Sequence, residues 1–97
     1  MKKYVKLSPE FMCYPIWMEE ENCLLPINHY ELKISTELKQ KIEAWDKQYQ
    51  STYVDDYPPD SKFETARDEK KFMERGYEIQ KALQLELGNT YEVFYQP

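Results

Sequence analysis

Two apolar stripes of helical period, separated by a break that no helix can cross, limit what this chain can build. The first stripe is Leu38, Ile42, Trp45, Tyr49 and then Thr52 or Tyr53, one face of a helix running from 36 to about 53. Ser35 is placed to cap it. Glu37 with Lys41 and Glu43 with Lys47 stand four apart in the favourable order on the solvent side. The break is Asp55-Asp56-Tyr57-Pro58-Pro59-Asp60-Ser61. The second stripe is Phe72, Gly76, Ile79, Leu83 and Leu87. Its helix is expected to start near 64 to 66, with Ser61 and Glu64 as a capping box or Thr65 and Asp68 as a looser one. Gly88 would close it in the left-handed region. Gly76 costs a helix about 1 kcal/mol against alanine, so it marks a point where another backbone or a large ring, Trp45 for instance, packs close.

The chain ends read as strands. Val5 and Leu7 alternate with Tyr4 and Lys6 over residues 3 to 7, and Tyr91, Val93 and Tyr95 share one side of a final strand. Residues 14 to 18 form a second possible strand, with Pro15 confining it to an edge or making Pro15 its first residue. Residues 19 to 34, with Pro26 in the middle, read as an irregular apolar loop that packs on the core. Neither helix can bury its stripe alone. The expected architecture is α+β: one domain over 1–97, an antiparallel helix pair packed on one face of a small sheet formed by the two chain ends.

The search for catalytic groups finds little. His29 is the only histidine, and nothing in its spacing from Cys13 or Cys23 makes a nucleophile–base pair. Paired short spacings for zinc are absent. Asp55, Asp56 and Asp60 resemble a calcium cluster, but Pro58 and Pro59 stand where a calcium loop needs a glycine. With two glycines, Gly76 and Gly88, neither a dinucleotide fingerprint nor a phosphate loop can be present. The chain is therefore expected to be no enzyme, to need no cofactor and to hold no metal. No apolar run nears the roughly 20 residues of a membrane span, and Met1 to Leu7 lacks the apolar stretch of a signal peptide. A cytoplasmic location with free cysteines is the expectation.

Charge then narrows the partner. A net charge of −5 opposes nucleic acid and anionic membranes. Arg67, Lys70, Lys71 and Arg75 on the second helix are interleaved with Asp68, Glu69, Glu74 and Glu78, a solvated mixed face and not a recognition helix. The helices are nearly neutral. Two stretches hold acids and no base: residues 10 to 32, with Glu10, Glu19, Glu20, Glu21 and Glu31, and residues 54 to 61, with Asp55, Asp56 and Asp60. Aromatic residues accompany both, Tyr14, Trp17 and Tyr30 in one, Tyr57 and the preceding Tyr53 in the other. Acids steer a basic partner and aromatics anchor it. The plainer reading is that polar loops are ordinary and that Trp17 and Tyr53 are core. The expected binding residues are Trp17, Glu19, Glu20, Glu21, Tyr53, Asp55, Asp56, Tyr57 and Asp60.

The run Tyr14-Pro15-Ile16-Trp17, Leu38…Trp45…Tyr49…Thr52, Pro58-Pro59-Asp60-Ser61-Lys62-Phe63, Phe72…Gly76 and Leu87-Gly88…Tyr91-Glu92-Val93 resembles a group of short bacterial proteins of uncertain function. In size and acidity the chain also resembles immunity proteins of contact-dependent growth inhibition and related toxin systems. That resemblance implies a protein that neutralises a toxin, often a basic nuclease, by covering its active site or another surface. The alternatives are a regulatory or adaptor domain for another protein and a small enzyme using His29 or the Asp55/Asp56 pair.

Overall fold

The alternation at the chain ends builds two neighbouring strands of a four-stranded sheet. The computed structural model describes residues 3–52, 63 and 65–96. Its strands are β1 (Lys3–Leu7), β2 (Ile16–Glu20), β3 (Cys23–Ile27) and β4 (Tyr91–Tyr95), in the order β3-β2-β1-β4. β1 is flanked by β2, antiparallel, and by β4, parallel, with Val5 opposite Met18 and Val93. A parallel pair cannot be closed by a tight turn and needs a long crossover. The crossover here carries the β2–β3 hairpin and both helices, α1 (Thr36–Gln50) and α2 (Ala66–Leu87).

The expectation of an irregular loop over 19–34 is overturned by β3. The chain reverses at Glu21 and Asn22, both at positive φ, 48° and 68°, so that Glu20 faces Cys23 across a two-residue turn. Paired positive φ values suit the right-handed twist of a hairpin. Asn22 is a common residue for this turn and Glu21 is not, and no glycine marks the spot. The second strand, expected over 14–18, runs over 16–20 and is internal, not an edge. Pro15 lies just before it, where its carbonyl accepts from the Ser8 amide at 2.8 Å and its missing N–H costs nothing.

The helices form as their stripes require. Ser35 caps α1 by accepting from the Leu38 amide, and Thr65 caps α2 by accepting from the Asp68 amide. Ser61 and Glu64, the other candidate cap, lie outside the described residues, as does Tyr53. α1 ends at Gln50, short of the expected 53. The pair is antiparallel: Glu86, near the end of α2, takes hydrogen bonds from the Ser35 amide and hydroxyl at the start of α1, while Arg75 reaches Gln48 near the end of α1. Between them Trp45 stacks on Phe72 at 4.5 Å and donates its indole N–H to the Phe72 carbonyl at 2.9 Å. Val5, Leu7, Ile16, Ile42 and Leu83 are wholly buried and form the centre of the core.

Gly76 marks a close approach, but the ring is Tyr95 and not Trp45. A Cβ on Gly76 would lie 2.8 Å from Tyr95 Cε2 and closer still to Cζ and the hydroxyl. The expected left-handed cap at Gly88 also differs: φ is +76° but ψ is −162°, which sends the chain into a short 3-10 turn, Gly88–Thr90, and then β4.

Candidate functional site

The helices cover one face of the sheet and leave the other open. Val5, Leu7, Ile16 and Val93 point to the helices and are buried. By alternation Tyr4, Lys6, Trp17, Glu19, Glu92 and Phe94 line the opposite face. Tyr4 is 45% exposed and Phe94 36%, and their rings meet edge to face at 6.4 Å. Trp17 is half-buried there. Its indole N–H donates to the Ser8 carbonyl at 3.1 Å, and the Lys6 ammonium stands 4.7 Å above its ring. Trp17 is thus a surface residue held in a fixed pose, and it is absent from the core cluster.

The expected acids of the first stretch gather at the hairpin tip. Glu19 is on the open face beside Trp17, Glu20 pairs with Cys23 on the other side, and Glu21 is in the turn. Glu20 and Glu21 are exposed. Tyr53, Asp55, Asp56, Tyr57 and Asp60 lie outside the described residues. Among the described residues, no group of three or more His, Cys, Asp or Glu side chains could hold a metal ion, and no helix is long and apolar enough to cross a membrane. Cys13 and Cys23 are free, half-exposed and exposed respectively.

Two contributors escaped the sequence reading. The acidity of residues 10–32 is extended by Glu43 and Asp46 from α1, a helix that looked neutral by count. Glu43 accepts a short hydrogen bond from the Tyr30 hydroxyl, which holds that phenol above its ordinary value, first through the bond itself. Asp46 is shielded from water, which pushes its carboxyl up despite the bond it accepts from Gln50. The second contributor is the exposed apolar pair Met12, at 77%, and Leu25, at 51%, which joins Tyr14 at 46% and Tyr30 at 44% in one band. Gln50 secures the segment that carries Met12, accepting from the Met12 amide and donating to the Glu10 carbonyl. A count of net charge per segment cannot show that a helix turns two of its three acids toward one loop.

His29 is neither at the surface nor in a catalytic pairing. It is 4% exposed, packed between Tyr14 and Tyr30. Among the described residues neither ring nitrogen has a hydrogen-bond partner. Burial lowers its pKa below the ordinary value, with Glu43 and Asp46 opposing and Lys39 adding slightly. It is a neutral filler under the aromatic band.

Among the described residues, the sheet face that the helices leave free carries aromatic side chains with acids at one end, residue types that steer and anchor protein contacts. A family model described as Serratia CdiI immunity protein-like matches residues 3–97. A search of curated proteins finds no match.

Proposed function

This chain belongs to the Serratia CdiI immunity protein-like family, and from that premise we propose that it binds and inhibits a cognate, basic toxin domain. The observation that carries the reading is the sheet face that the helices leave free, with Trp17 fixed beside Glu19 and with Glu20 and Glu21 at the adjoining hairpin tip. Two residue types that anchor and steer protein complexes stand together on a surface that the helices leave free. Trp17 is the anchor, and the three glutamates attract the basic surface. Tyr53, Asp55, Asp56, Tyr57 and Asp60 form the second part of the proposed contact. The protein acts in the cytoplasm, by occlusion, without a cofactor and without chemistry of its own.

The test is co-expression with the toxin domain encoded in the adjacent reading frame. The expected result is a 1:1 complex and restored growth. A neighbour without a toxin domain, or a toxin that still kills at full immunity-protein expression, removes the reading. Replacing Glu19, Glu20 and Glu21 by Gln should slow association and weaken its dependence on ionic strength, because part of the steering charge is gone.

A further inference from the structure

The sheet has two edges, and among the described residues only one is closed. At β4 the Tyr91 carbonyl accepts from Gln84 Nε2, the Val93 amide donates to Gln84 Oε1, and the Val93 carbonyl accepts from Gln80 Nε2, each at 2.9 Å. Two glutamine amides of α2 stand where another strand would pair, which is how natural sheets protect an edge.

Among the described residues β3 has no such cover. Glu20 and Cys23 flank a two-residue turn, so they exchange both backbone hydrogen bonds, and the same pairing recurs at Met18–Leu25 and Ile16–Ile27. The residues between, Leu24 and Pro26, turn their backbone groups outward. The edge therefore presents the Leu24 N–H and the Leu24 and Pro26 carbonyls. Among the described residues nothing bonds to them. Pro26 is tolerated here because the N–H it lacks would have faced solvent.

The surroundings of this edge have a definite chemistry. Leu25 lies on the helix-side face opposite Met18, yet it is half exposed. Next to Pro26 is a shallow depression of about 440 Å³ lined by Met12, Cys13, Tyr14, Pro26, Asp46 and Gln50. At the other end stand Glu20 and Glu21. The row is apolar in the middle and acidic at both ends.

We propose that β3 is a strand-addition site: an extended, basic segment of the toxin domain pairs with Leu24 and Pro26 as a fifth strand. An apolar side chain of that segment covers Leu25, and its Lys or Arg residues meet Glu20, Glu21 and Asp46. The inference rests on the immunity reading above. Charge selects this occupant over a second copy of the chain, since self-pairing would bring two sets of these acids together on chains of net charge −5.

Amide hydrogen exchange on the free protein and on its complex with the neighbouring toxin domain tests it. The Leu24 amide should exchange quickly when free and become protected in the complex by at least about tenfold. Leu24→Pro removes the outward N–H without touching the ladder. It should weaken the complex about tenfold with the melting curve unchanged. A complex that forms with Leu24 unprotected, or that binds the proline variant as tightly, overturns strand addition and leaves the immunity reading standing. Absence of any complex removes both. Leu24 protection that grows with concentration of the protein alone, without toxin, assigns the edge to a second copy and overturns the proposal. If Leu24→Pro fails to fold, the exchange experiment on the native chain decides.

Discussion

The two ends of the sheet contrast. β4 lies under α2, with Val93 buried, Tyr95 wedged against Gly76, and its outward backbone groups bonded to Gln80 and Gln84. β3 projects beyond the helices, with Leu25 and Cys23 exposed and its edge unpaired among the described residues. One end packs its side chains into the fold and the other leaves them exposed. The difference teaches where to look for each kind of effect. Substitutions at the β4 end should appear in the melting curve, and substitutions at the β3 end in binding.

The largest expected effect is at the helix pair. Trp45→Ala should cost about 3–5 kcal/mol in denaturant unfolding, because it removes a buried ring and the partner stacked on it. Gly76→Ala comes next. Helix propensity alone would make it a gain of about 1 kcal/mol. The Tyr95 ring lies between Trp45 and Tyr77 and must shift to admit the methyl, so a loss of about 1–3 kcal/mol is expected. Adding Tyr95→Ala to Gly76→Ala should remove the clash term, a non-additivity that a double-mutant cycle would read. Gln84→Ala should cost about 1–3 kcal/mol by stranding the Val93 amide, and should raise exchange at Val93 while leaving Leu24 as it was. If instead Leu24 responds, the two ends are coupled and the contrast fails.

His29 supplies a pH test on the β3 side. Its pKa is lowered below 6.5 in the folded chain by burial, against Glu43 and Asp46. The unfolded chain therefore takes up a proton first as pH falls. Stability is full above 6.5 and declines below it until the folded-state pKa is reached. His29→Phe should flatten that decline, measured as the change in melting temperature between pH 7 and 5. The smallest effect on stability is expected from neutralising Glu19, Glu20 and Glu21 to Gln: within about 0.5 kcal/mol, while association with the toxin slows. A large stability change there would mean that the hairpin tip belongs to the folding unit and is not a free surface.

Much of this was legible from residue spacing. The stripes located both helices, and Ser35 and Thr65 cap them as their positions suggested. β1 and β4 followed from alternation at the two ends. β3 did not, because its turn uses Glu21 at positive φ and its strand contains Pro26, two features that locally argue against a hairpin. Gly76 was readable as a close approach, but its ring was not. Trp45 and Tyr95 satisfy the same local requirement, and only the placement of β4 beside α2 selects Tyr95. Of the proposed binding surface, Glu19–Glu21 and Trp17 came from the sequence, whereas Glu43, Asp46, Met12 and Leu25 came only from the structure, since their neighbours are distant in the chain.

By itself the sequence determined the elements that depend on periods of two and 3.6, the caps, and the excess of acids in residues 10–32. The physical reason is that those features are set by each residue's own near neighbours. The tertiary structure alone decided that β4 lies parallel to β1, that glutamines close one sheet edge while the other stays open, and that acids of a seemingly neutral helix face the acidic loop. Those depend on contacts between residues tens of positions apart, whose free energy appears only when the chain has closed on itself.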